Sequence, residues 1–126
     1  MNRLARDFSI MFVMAANDVE ATSIAQCLVQ EKLAACVNIV GPVSSIYRWR
    51  GAIEKASEYL LLIKTSSRLV VRVERRVREL HSYEVPEIVA VKLAGGSQPY
   101  LAWIAESVVT PPKTPSSRRG RQSARA

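Results

Sequence analysis

Residues from about Val37 to Thr65 constrain this chain more than any other stretch, because they read as one long β-hairpin. Ile46-Tyr47-Arg48-Trp49 alternates an aromatic face, Tyr47 and Trp49, with a mixed one, and Arg50-Gly51 falls where a two-residue turn belongs. Gly51 supplies the positive φ that such turns need. On the return, Glu58-Tyr59-Leu60-Leu61-Leu62-Ile63-Lys64 is apolar on both faces, which suits a strand inside a sheet. Fourteen strand residues reach roughly 46 Å at about 3.3 Å each, against about 21 Å for fourteen residues of helix. The hairpin therefore outruns any helix here, and its distal Ile46, Tyr47, Trp49 and Ile53 need cover from another chain. An obligate oligomer is the first expectation.

The remaining elements follow in order. Phe8 to Ala15 is a near-continuous apolar strand, and Asn17-Asp18 caps a helix from about Val19 to Leu33, with Ile24, Ala25, Leu28, Val29 and Leu33 on one stripe. Asp18 and Glu20 lie at its positive end and Lys32 near its negative end. A second helix, about Ser67 to Leu80, turns Leu69, Val70, Val73, Val77 and Leu80 inward. Its outer face carries Arg68, Arg72, Arg75, Arg76 and Arg78, which reads as solvated surface. His81-Ser82-Tyr83-Glu84 leads into a last strand, about Val85 to Leu93, whose Pro86 belongs at a strand start or a sheet edge. Pro99 to Val108 forms a closing helix with Tyr100, Trp103 and Ile104. Strand, helix, strand, strand, helix, strand is the α+β ferredoxin-like βαββαβ sandwich: four antiparallel strands with two helices on one face. The other face, partly apolar, is where chains would meet.

At 126 residues and 48% hydrophobic content the chain supports one domain, residues 1–109. Its net charge of +7 suggests nucleic acid until the charge is located. Lys113, Arg118, Arg119, Arg121 and Arg125 supply five of those charges, leaving +2 for everything before them. Residues 110–126 are rich in Pro, Ser and Arg with no hydrophobic periodicity, so a disordered basic tail is expected, and any nucleic-acid contact is expected from the tail alone. Cys27 and Cys36 make no disulfide framework, which points to a reduced, cytoplasmic setting. Arg3 and Arg6 before the apolar run Phe8 to Ala16 raise a secretion signal, but Asp7 interrupts the basic part and the run has the length of a buried strand. No run approaches the roughly 20 apolar residues of a membrane span.

Five pieces in register now resemble one family. They are Glu31-Lys32-Leu33-Ala34-Ala35-Cys36-Val37-Asn38, Ser45-Ile46-Tyr47-Arg48-Trp49-Arg50-Gly51, Ile63-Lys64-Thr65, His81-Ser82-Tyr83-Glu84-Val85-Pro86-Glu87-Ile88 and Tyr100-Leu101-Ala102-Trp103. Together they look like CutA, the divalent-cation tolerance family, over roughly residues 8–108. The resemblance implies a homotrimer whose long hairpins clasp neighbouring subunits, and a link to copper or another divalent cation. It also implies a metal ligand at His81. Some bacterial members carry a cysteine where this chain has Met14, and a thioether is a weaker ligand that never acquires charge.

The candidate residues each admit two readings. His81 follows the second helix, where an imidazolium complements the helix dipole, or it contacts a metal ion with Met14 as auxiliary. Lys64 and Glu87 could form a polar inter-subunit cleft with His81, or an ordinary cross-strand pair. Tyr47, Trp49, Tyr100 and Trp103 could line a pocket between subunits, or be interface packing. No catalytic constellation appears, so the expectation is a binding protein and not an enzyme. The alternative to a metal role is a small-molecule sensor, similar to the PII signalling trimers, with a ligand in inter-subunit clefts.

Overall fold

Alternation along the first strand, β1 (Phe8–Ala15), sorts the molecule into two faces. The structure is a computed structural model describing residues 4–110, so the expected tail lies, Thr110 apart, outside the described residues. After β1 come α1 (Asp18–Gln30), β2 (Cys36–Trp49), β3 (Ala52–Ser66), α2 (Val70–Leu80), β4 (Ile88–Lys92) and α3 (Gln98–Ser107). The sheet is antiparallel with strand order β2-β3-β1-β4, which is the ferredoxin-like arrangement and places β3 inside, between β1 and β2.

One face of the sheet buries Met11 and Val13 of β1 with their register partners Ile63 and Leu61 of β3. Ile24 and Leu28 of α1 and Val73 and Val77 of α2 close this core, all fully buried. The opposite face carries Ile10 and Phe12, in register with Val91 and Val89 of β4 and, on β3, with Lys64 and Leu62. There α3 covers only the Phe8 end, with Leu101 and Ile104. The rest is open: Val40, Val89 and Val91 are 46%, 51% and 54% exposed.

The hairpin turns at Arg50 (φ 51°) and Gly51 (φ 83°), where the expected turn falls, and the two positive φ values match the strand twist. An unexpected feature interrupts it. The register slips between Val40 and Val43, leaving Gly41 and Pro42 as a bulge. Pro42 has no amide hydrogen, which is tolerable because β2 is a sheet edge. A side chain at Gly41 would collide with the Tyr59 ring packed over it.

Three boundaries depart from expectation. Helix α1 stops at Gln30, because Lys32 adopts φ 60°. The Lys32 amide donates to the Val29 carbonyl (3.1 Å) and the Leu33 amide to the Leu28 carbonyl (2.9 Å), a Schellman cap. Leu33 is buried just beyond the helix, and Val29 turns outward at 44% exposure. The segment expected as helix from Ser67 begins as a 3-10 turn, Ser67–Leu69. The last strand starts at Ile88, leaving Val85, Pro86 and Glu87 in the preceding loop. On the expected surface arginine face, Arg76 clasps Glu31 beside the end of α1 through Nε (3.0 Å) and Nη2 (2.8 Å).

Candidate functional site: an acidic, aromatic cleft

The distal hairpin, the end of β1 and the loop between α2 and β4 enclose a cleft of about 590 Å³. Met14 comes from β1, Tyr47 and Trp49 from β2, Glu58 from β3, and Tyr83, Glu84 and Glu87 from the loop. Strand alternation sends Tyr47 and Trp49 to one face, opposite Glu54 and Ala52.

The loop is held by four hydrogen bonds that cross long stretches of sequence. Glu20 in the first turn of α1, whose amide is capped by Asn17 (2.8 Å), accepts from the Ser82 amide (2.6 Å) and hydroxyl (2.9 Å). The Nε2–H of His81 donates to the Met14 carbonyl (2.6 Å). The Tyr83 hydroxyl donates to Glu58 (2.8 Å), a carboxylate only 6% exposed. Burial first, and then the bond to Glu58, pushes the Tyr83 phenol up to about 12, so it stays a donor through the neutral range.

His81 thus sits behind the cleft. Its side chain is fully buried, with Nε2 committed to Met14 and Nδ1 accepting the Tyr83 amide (3.1 Å). This corrects the expectation of an imidazolium facing the last carbonyls of α2: the ring points across to β1. Met14 and Glu87 do line the cleft. Lys64 does not join them; it reaches Asn38 on β2, and no ring of Lys64, Glu87 and His81 forms in one chain. Tyr100 and Trp103 lie on α3 outside the cleft lining, their rings 5.5 Å apart and each 42% exposed. Three residues that sequence reasoning passed over are Glu20, Glu58 and Tyr83. Glu58 carries a faint signal, an acid opening the apolar run of an interior strand.

As a metal centre the single chain fits poorly. Among the described residues no three His, Cys, Asp or Glu side chains gather to hold an ion. Both nitrogens of His81 are already bonded, and the Met14 thioether alone is a soft, neutral donor.

The sheet order and the overlong hairpin with a cleft against its flank define a ferredoxin-like α+β domain. Residues 9–107 match the model of the CutA1 divalent ion tolerance protein family. The chain is 44% identical over 98 residues to the divalent-cation tolerance protein CutA of Thermus thermophilus, covering 78% of this chain and 95% of that protein. Human CutA is also 44% identical over 98 residues, but the match spans only 55% of its length. The Thermus thermophilus Cut A1 structure superposes with a TM-score of 0.79 at 42% identity, covering 81% of this chain and 99% of that one. CutA from Xylella fastidiosa gives 0.80 at 39%, covering 82% and 99%. The chain belongs to the CutA1 divalent ion tolerance protein family.

Proposed function

We propose that this chain acts as a cytoplasmic homotrimer in the cell's tolerance of divalent metal ions, by binding and response and not by catalysis. Family membership carries the metal role, and the relatives' names describe tolerance rather than a reaction. The open sheet face with Phe12, Leu62, Val89 and Val91, together with Ile46 and Ile53 at 67% and 68% exposure on the hairpin, supports self-association. Two free cysteines support a reducing compartment. Native mass spectrometry at micromolar concentration checks the trimer, and Val91→Asp on the open face should shift it toward monomer.

Copper or another divalent cation is the proposed ion, with His81 and Met14 the side chains at the family's positions. Since His81 is engaged twice, binding should be weak. Copper titration by calorimetry under reducing conditions tests this on the parent, His81→Ala and Met14→Cys, the last expected to tighten binding by restoring a thiolate. Equal affinity in His81→Ala would remove His81 from the site.

A second reading, sensing of a small molecule in the cleft, is favoured by one observation. The cleft's volume lies within the roughly 300–1,000 Å³ of ordinary ligand pockets, and its walls combine aromatic rings with a few polar groups.

A further inference from the structure

We propose that the cleft takes a small organic cation, an amidinium, guanidinium or alkylammonium group on an apolar body. This rests on the second reading above, that the cleft is a small-molecule site, and it names the ligand class.

Charge comes first. In the single chain Glu58, Glu84 and Glu87 line the cleft, and no lysine, arginine or histidine among the described residues does. Arg50 pairs with Glu84 at the rim, and an anionic ligand would still meet Glu58 and Glu87 with no cation beside them. A bare metal ion would find no three-ligand set among the described residues. An organic cation finds its counter-charge in these carboxylates and needs no preset coordination geometry.

Glu58 narrows the choice. It is 94% buried by its 6% exposure, and Tyr83 satisfies Oε2 alone. Among the described residues Oε1 has no hydrogen-bond partner. A carboxylate oxygen in that position calls for a donor, and a charged N–H is the strongest one available to a small molecule. The aromatic rings supply the complementary half. Tyr47, Trp49 and Tyr83 line the cleft, and aromatic rings carry a quadrupole that attracts cations.

The chain already performs this recognition at the rim. The Arg50 guanidinium lies 5.2 Å from the centre of the Trp49 ring and 3.6 Å from Glu84. A cation between an aromatic face and a carboxylate is the arrangement proposed deeper in, with Glu58 in place of Glu84.

Calorimetry on the full chain with three isosteric probes tests the proposal: benzamidine (cationic), benzamide (neutral) and benzoate (anionic). Benzamidine should bind, benzamide more weakly and benzoate not at all. Glu58→Gln, which keeps shape and removes charge, should weaken benzamidine about tenfold or more, the scale of a lost charge-assisted bond. Folded Glu58→Gln with parental affinity would overturn the proposal. Should Glu58→Gln not fold, Glu87→Gln at the exposed lip reads the same term. It should weaken benzamidine severalfold, and no change would count against the proposal. Equal binding of benzamide, or preference for benzoate, would overturn the cation class and leave the small-molecule reading standing. Binding of none of the three would remove both.

Discussion

The imidazole Nε2–H of His81 donates to the main-chain carbonyl of Met14 across 2.6 Å, joining residues 67 positions apart. With the Tyr83 amide donating to Nδ1, the ring pins the loop after α2 onto β1 and so shapes one wall of the cleft. Removing the ring leaves the Met14 carbonyl and the Tyr83 amide unpaired. His81→Ala should therefore cost about 1–3 kcal/mol, the range for a buried polar group left unsatisfied. Urea denaturation measures it, and a loss within error would mean that water replaces the ring without penalty.

Gly41 and Gly95 form a matched pair. A Cβ at Gly41 would enter the Tyr59 ring, whereas one at Gly95 meets nothing within 4 Å. Gly41→Ala should destabilise by about 1–3 kcal/mol, the usual cost of overpacking, and Gly95→Ala should be near neutral. Thermal melts of the two variants side by side check the contrast.

The Arg76 bond holds the Glu31 carboxyl below its ordinary value of 4.5. A depressed carboxyl contributes stability above its unfolded value and loses it as pH falls through the folded one. Glu31→Gln should therefore melt lower than the parent at neutral pH. The gap should close as pH drops well below 4.5, and it should be small throughout because the pair is solvent-exposed. A gap that persists unchanged at acid pH would assign it to packing.

Tyr83 gives an alkaline counterpart. Its phenol is raised to about 12 from an ordinary 10.0, so its neutral form is the one the fold stabilises. That contribution is complete below pH 10 and is lost as pH climbs toward 12. Absorbance near 295 nm should show one late-titrating tyrosine that disappears in Tyr83→Phe. A lost step centred near the ordinary 10.0 would contradict the Glu58 bond.

Much of the fold was legible because its signals are local. Gly51 marks the turn, two-sided apolar character marks β3 as interior, and the element order admits few topologies. The α1 end is hidden in the sequence because a lysine, not the customary glycine, occupies the left-handed cap position at Lys32, and the apolar periodicity runs on through Leu33. The sequence places Pro86 in the last strand, near its start or on a sheet edge, whereas pairing with β1 begins only at Ile88. The cleft was legible only in part. Tyr47, Trp49, Met14 and Glu87 could be named from the sequence. The groups that build it could not: Glu20 reaches Ser82 across 62 residues and Glu58 reaches Tyr83 across 25, pairings that only the folded chain creates.

The bulge at Gly41 and Pro42 bears on what the molecule avoids becoming. β2 runs along one rim of the sheet, and an unbroken rim of fourteen residues would template further strands without limit. Here the slip in register and the missing amide of Pro42 split that rim into two short runs that no single straight strand can zip along. A neighbour can join one run, but fibrous growth has no continuous track to follow.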